Sequence, residues 1–272
     1  MAGQGLVSMD EMTVEAVKRF PTGIAALDIV YGRTRFLKAN RTDSGLPVGR
    51  VSLWSGEGGV GKTRLAITVT KMMNAMGARV LVGQGEVPPD QFGQWAGEVR
   101  RPKQYWVTDE TTMDDLVARI DEVAPHIVVY DSVNMIEEIT HRTKGKQRLQ
   151  QFKDAVARHE CHAILIGQLT ADRKAKGGTD ITHLVDVTAS IYWYDSLPKR
   201  DRPVEPHTGR HRTLPGVFIF EIKKNRYVGC GRPDGWVALR HGEDGVVVFD
   251  SILSYPAEPN KGWADWVKAG MP

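Results

Sequence analysis

Apolar and polar positions follow two alternating periodicities through the middle of the chain. Short apolar or β-branched runs fall at residues 51–55, 79–82, 105–107, 127–131 and 163–167. Between them stand longer stretches with apolar residues three to four apart, at 62–76, 90–100, 113–123 and 147–159. The first set predicts buried strands and the second helices with one covered face. Taken in turn they predict βαβ units, and so an α/β fold with a mostly parallel, twisted sheet flanked by helices. Beyond residue 186 the rhythm changes. Residues 188–193, 217–223, 236–239 and 246–249 are β-type with turns between them and no obvious helix, which predicts antiparallel strands added on the C-terminal side. Residues 198–215, rich in Pro, Arg and His, read as an exposed loop. With no internal repeat, the expected layout is one domain over 21–255. An N-terminal segment (1–20) would precede it as an inter-subunit arm, and a tail (256–272) carrying Trp263 and Trp266 would follow.

Composition narrows this only modestly. A hydrophobic fraction of 41% and a charged fraction of 25% suit an ordinary globular core, and a net charge of +3 names no partner. Two cysteines, Cys161 and Cys230, supply neither a disulfide framework nor a four-ligand zinc site. A reducing cytoplasm is the expectation, with no zinc. No apolar run reaches membrane-spanning length, and residues 1–10 lack the layout of a signal peptide, so no membrane role is expected.

The strongest chemistry lies at Gly56-Glu57-Gly58-Gly59-Val60-Gly61-Lys62-Thr63, which matches the phosphate-binding pattern G-x-x-x-x-G-K-[ST] between a predicted strand and a predicted helix. Glycines let the backbone curl so that N–H groups and the helix N-terminus face phosphate oxygens. Lys62 is expected on the β- and γ-phosphates, Thr63 on Mg²⁺, and Arg64 beside the bound nucleotide. The apolar run His126-Ile127-Val128-Val129-Tyr130-Asp131 ends in the carboxylate that such sites use to hold the Mg²⁺ shell. Taken alone such an Asp would more often be a strand-end cap, but downstream of this loop the Mg²⁺ role is the expectation.

These landmarks, with several looser ones in the same order, resemble the ATPase core of the RecA superfamily, and most closely the bacterial RadA (Sms) family. Thr22-Gly23-Ile24-Ala25-Ala26-Leu27-Asp28 is similar to that family's opening T-G-I-x-x-L-D. Gly45-Leu46-Pro47-Val48-Gly49-Arg50 resembles its lead into the P-loop strand. Val80-Leu81-Val82-Gly83-Gln84-Gly85-Glu86 is similar to its second core strand, Ile166-Gly167-Gln168 to its sensor strand, and His183-Leu184-Val185-Asp186 to its H-x-V-D. Lys223-Lys224-Asn225-Arg226-Tyr227 resembles K-N-R-F-G, with Val228 where the closing glycine would stand. The resemblance implies ATP as the nucleotide, Mg²⁺ as cofactor and Glu86 as the group that orients water. Glu137 and Glu138 compete for that last role. It further implies Gln168 as γ-phosphate sensor, and Lys224 and Arg226 as a pair reaching the neighbouring subunit's nucleotide in a homo-oligomer, a hexameric ring by analogy. The plain alternatives are a strand-end glutamine and a solvated basic edge. The family's zinc finger and Lon-like domain are not expected in this sequence.

Two basic, glycine-containing stretches follow the predicted core strands. One carries Arg142, Lys144, Lys146 and Arg148, the other Arg173, Lys174 and Lys176. In RecA-like proteins the corresponding loops grip DNA. Neither stretch holds an aromatic residue, so contact with the phosphate backbone of single-stranded or branched DNA is expected, without base stacking. The function expected is a DNA-dependent ATPase motor in recombination, repair or replication. A DnaB-like replicative helicase, or an ATP-gated scaffold without DNA, are the alternatives.

Overall fold

The structure, a computed structural model, describes residues 17–32, 45–96, 104–136, 142–168, 179–197, 213–226, 236–242 and 247–249. In chain order the elements are β1 (Arg19–Phe20), α1 (Ala25–Tyr31), β2 (Leu46–Pro47), β3 (Arg50–Gly56), α2 (Lys62–Ala75), β4 (Val80–Gln84), α3 (Pro89–Ala96) and β5 (Tyr105–Thr108). Then come α4 (Met113–Val123), β6 (Ile127–Asp131), α5 (Arg142–Arg158), β7 (His162–Gln168), α6 (Thr179–Leu184), β8 (Val187–Trp193), β9 (Val217–Asn225), β10 (Trp236–His241) and β11 (Val247–Phe249).

Among the described residues nine strands form one sheet in the order β11-β10-β9-β8-β3-β7-β6-β4-β5. The pairs from β8 through β5 are parallel, and β8–β9, β9–β10 and β10–β11 are antiparallel. The α/β fold expected from the alternating pattern is therefore present, and it is RecA-like in its strand arrangement. Successive side chains on a strand face opposite ways, so β6 sends Ile127 and Val129 to one hydrophobic cluster and Val128 and Tyr130 to another. Helices α1 and α2 cover the first face, while α4 and α5 cover the second with Leu116, Ile120, Leu149 and Phe152. Burial on both faces explains why these strands read as unbroken apolar runs.

Several expectations need correction. Residues 188–193, expected among antiparallel additions, form β8, which pairs parallel with β3 and antiparallel only with β9. The basic stretch at 141–148, expected as a loop before a helix at 147, is helical from Arg142. Leu149, Phe152 and Val156 seat that helix on the core, and its first turns simply continue outward. Two short helices were not foreseen. In α1, Thr22 N–H donates to the Asp28 carboxylate at 2.8 Å and Thr22 Oγ1 accepts from Ile24 N–H at 3.0 Å. The T-G-I-A-A-L-D motif thus acts as a local cap in this chain. Ahead of α1, β1 pairs with β2 and Arg19 donates to the carbonyls of Tyr31 and Gly45. Residues 198–212, the tail and Cys230 lie outside the described residues. Cys161 is buried, which pushes its thiol up to about 12 and leaves it unreactive. No helix among the described residues is long and apolar enough to cross a membrane.

The edge where the parallel strands begin is held by polar groups. Asp186, buried just before β8, accepts from Val51 N–H at 3.1 Å and from the Lys153 ammonium at 3.2 Å. His162, fully buried at the start of β7, bonds Ser52 Oγ at 2.9 Å and the Pro47 carbonyl at 2.8 Å. Burial drives the His162 imidazole from 6.5 down to about 4. The unfolded chain takes up this proton near pH 6.5 and the folded chain only near 4, so the stability contributed is full above 6.5 and is lost as pH falls towards 4. Asp28, raised to about 6 by burial, works in the opposite sense over the same range. The difference between the wild type and His162→Gln therefore isolates the histidine. Urea denaturation should show that difference shrinking by about 3 kcal/mol as pH falls from 6.5 to 4.

Candidate nucleotide site

Strand β3 ends at Gly56, and the chain turns through residues 57–61 into α2. Gly61 stands at the N-cap of α2 with φ of +88°, a left-handed geometry that a side chain would strain. A methyl group added at Gly58 or Gly59 would meet nothing within 4 Å, so this part of the loop is an open cradle. Lys62 Nζ folds back over it and donates to the carbonyls of Glu57 at 2.9 Å and Gly56 at 3.1 Å. Burial lowers the Lys62 pKa, against the opposing pull of Asp131 and Glu86.

Thr63, in the first turn of α2, donates its hydroxyl to Asp131 Oδ2 at the end of β6. Asp131 is 4% exposed, and its pKa rises to about 6, chiefly through burial and further through Glu86. Glu86 lies just beyond β4 and is exposed, with its Oε1 accepting from Ser132 Oγ at 2.7 Å. Gln168, exposed at the end of β7, stands beside Gly56 in the parallel register. Four expected residues, Lys62, Thr63, Glu86 and Asp131, thus meet at the edge where the parallel strands end, and Gln168 borders them. This donor set fits a nucleoside triphosphate with Mg²⁺. An open amide cradle and a folded-back ammonium suit phosphates, and a threonine hydroxyl paired to a carboxylate suits a hard cation.

The other candidates lie elsewhere. Because β9 runs antiparallel to β8, its end lies at the opposite edge, where the parallel strands begin. A seven-residue strand spans about 20 Å, so Lys224 and Arg226 are remote from their own P-loop. Lys224 Nζ donates to the carbonyls of Thr182 and Val185, both at 2.7 Å, and of His183 at 3.2 Å, capping α6. Arg226 is exposed, donates to the His183 carbonyl at 2.7 Å, and lies 3.9 Å from Asp186. Both members of the pair reach the same turn, as their alternation implied. Of the first basic stretch, Lys146 is exposed on α5, and Arg148 pairs with Asp114 at 2.7 Å. Arg142 and Lys144 belong to the first turn of that helix. Arg173, Lys174 and Lys176, with Glu137 and Glu138, lie outside the described residues.

Two contacts escaped the sequence reading. Ser132, which fixes one oxygen of Glu86, follows the Asp131 motif with no signal of its own. His241, at the end of β10, stacks on Phe218 with ring centroids 4.7 Å apart and presses on the P-loop. A Cβ on Gly61 would come within 2.2 Å of His241 Nε2. Arg64 donates to the Gly242 carbonyl, so the β10 end clasps both the loop and α2. The His241 nitrogens lie beside the backbone of Val60 and Gly61 without a hydrogen bond of good geometry. Burial, reinforced by Arg64, lowers the imidazole to about 4 and keeps it neutral. Gly61→Ala should therefore destabilise the fold by more than the roughly 1–2 kcal/mol of left-handed strain alone. Adding His241→Ala should recover the excess but not the strain, as measured by urea denaturation.

No family model matches the chain. Among curated proteins it is 30% identical over 232 residues to the DNA repair protein RadA of Mycolicibacterium smegmatis, an alignment covering 80% of this chain and 46% of that protein. It is 27% identical over 252 residues to RadA of Mycobacterium tuberculosis (89% of this chain, 46% of the relative). Against RadA of Pseudomonas aeruginosa the identity is 26% over 195 residues (68% and 40%). The chain spans about half the length of the curated relatives it matches. A glycine-rich loop and an acidic strand end at one edge of a RecA-like sheet, together with these alignments along most of its length, make this chain a RadA-like core.

Proposed function

We propose that this chain is the nucleotide-hydrolysing core of an oligomeric, DNA-stimulated ATPase of RadA type, acting on single-stranded or branched DNA in repair or recombination. The convergence of Lys62, Thr63, Asp131 and Glu86 at one sheet edge carries the reading. The printed role of the relatives, DNA repair, supplies its setting.

ATP is the substrate. The loop amides and Lys62 bind and orient its phosphates, with the ammonium exchanging two loop carbonyls for phosphate oxygens. Thr63 and Asp131 hold Mg²⁺, which when bound neutralises charge on those oxygens. Glu86 orients the attacking water through the oxygen that Ser132 leaves free, and Ser132 restrains the carboxylate from turning away. Gln168 senses the γ-phosphate and relays its presence to residues 169–178. There Arg173, Lys174 and Lys176 meet the DNA backbone, with Lys146 and the start of α5 as a second contact.

Arg226 acts in trans. Its distance from its own P-loop leaves a neighbouring copy's nucleotide as the one it can serve, in a hexameric ring. Lys224, already engaged with three carbonyls, holds the end of α6 on which Arg226 also rests.

Turnover assays test the chemistry. Lys62→Ala should reduce ATP hydrolysis to background. Glu86→Gln should lower it by about 10²- to 10⁴-fold while leaving nucleotide binding intact. Wild-type rates in Lys62→Ala would overturn the P-loop assignment, and in Glu86→Gln they would move the water-orienting role to another carboxylate. Single-stranded DNA should raise the wild-type rate; an unchanged rate would favour a scaffold ATPase, and unaided unwinding of a forked duplex would favour a replicative helicase.

Subunit mixing tests the trans assignment. Arg226→Ala alone should bind nucleotide but not hydrolyse it, and mixing with Lys62→Ala should restore part of the activity at mixed interfaces. Absence of rescue at every mixing ratio would remove Arg226 from the neighbour's site.

A further inference from the structure

Gln84 closes β4 and is the register partner of Asp131 on β6. Partners in adjacent parallel strands project to the same face, so both side chains enter the layer between the sheet and α2. Gln84 is 3% exposed, and it lines the same narrow cleft as Thr63, Phe92 and Asp131. Its neighbours on that face of the two strands, Val82 and Val129, are apolar core residues. Among the described residues its side-chain amide makes no hydrogen bond. The residue is buried as a whole, but its amide atoms are not among the buried polar atoms left without a partner, so they keep contact with solvent; packing alone would be served as well by leucine or methionine.

The surroundings offer a partner for each end of the amide. Thr63 occupies Oδ2 of Asp131, and no hydrogen bond to Oδ1 is formed among the described residues. A hydrated cation at Thr63 and Asp131 would bring water donors to the mouth of that cleft, whose interior has no room for water, because Mg²⁺ dehydrates reluctantly and keeps several waters. An amide matches this pair of needs, with its N–H₂ donating to the carboxylate and its carbonyl accepting from a water. A carboxylate at 84 would add a second negative charge beside Asp131, and an apolar residue would offer neither bond.

We infer that Gln84 is a positioning residue for the cation site, orienting Asp131 through its amide N–H₂ and a water of the cation's hydration shell through its carbonyl. This rests on the reading of Thr63 and Asp131 as the cation-holding pair. It adds a residue from a third element to that pair and makes the register between β4 and β6 a determinant of metal affinity.

The test measures binding rather than turnover. Binding of a fluorescent, non-hydrolysable ATP analogue to the full chain is titrated with Mg²⁺ in the wild type, Gln84→Met and Gln84→Ala. Asp131→Asn and Thr63→Ala serve as references. Methionine keeps the shape of the side chain and removes both hydrogen bonds, and thermal unfolding verifies that each variant is folded. Loss of an outer-shell partner costs about 10- to 100-fold in metal affinity. Gln84→Met should therefore raise the half-saturating Mg²⁺ concentration at least tenfold, with affinity for the analogue in EDTA unchanged. A midpoint within twofold of wild type in Gln84→Met, while Asp131→Asn shifts it, would overturn the assignment of Gln84 alone. If Asp131→Asn and Thr63→Ala leave the midpoint unmoved as well, the cation site itself is misassigned and Gln84 falls with it.

Discussion

Parallel pairing in register among β3, β7, β6 and β4 is the constraint on which the candidate nucleotide edge depends. Parallel strands all finish at the same edge, so residues separated by dozens of positions arrive together: Gly56 beside Gln168, Ile166 beside Asp131, and Asp131 beside Gln84. Strands β3 and β6 are not neighbours, since β7 lies between them, which places their ends about 10 Å apart. The P-loop and the first turn of α2 bridge that gap, and the hydrogen bond from Thr63 to Asp131 closes it. A one-residue slip of β6 would turn Asp131 to the opposite face. Thr63 would then lose its partner, and Tyr130 would be driven among the side chains packed against α2.

The opposite edge is organised by buried polar groups. Asp186 ties the start of β3, the middle of α5 through Lys153, and the turn after β9 through Arg226. Most of its bonds are to groups that burial would otherwise leave unsatisfied, so its removal would cost more than a surface ion pair would. Lys224 adds three carbonyl bonds at the end of α6, the helix that returns the chain from the nucleotide edge. Helix α6 leads into Asp186, and Asp186 in turn accepts from the Arg226 N–H at the end of β9.

The C-terminal strands hold the P-loop from outside the parallel sheet. Phe218 and His241 stack, His241 packs on Gly61, and Arg64 bonds the Gly242 carbonyl. In this chain the glycine before the lysine thus answers two demands, the left-handed turn and the close approach of an imidazole. The phosphate pattern alone explains only the first.

By itself the sequence determined the parts whose signals are local. The P-loop follows from glycine spacing, the strand ending in Asp131 from an apolar run stopped by a carboxylate, and the α/β class from alternating periodicities. Helices α2 and α4 were legible because apolar residues recur on one face over three or more turns. Short elements were not. Helices α1 and α6 are too brief for a periodic signal, and α1 depends on Thr22 and Asp28 bonding across six residues. The N-terminal turns of α5 looked like a loop because the charge and glycine of residues 142–146 hide a helix that packing of Leu149, Phe152 and Val156 extends. Only the tertiary structure decided that β8 joins β3 in parallel, that Ser132 holds Glu86, and that Gln84 shares a cleft with Asp131. These are contacts between distant segments, set by strand order and register, and strand order is a property of how whole surfaces pack rather than of any stretch of residues.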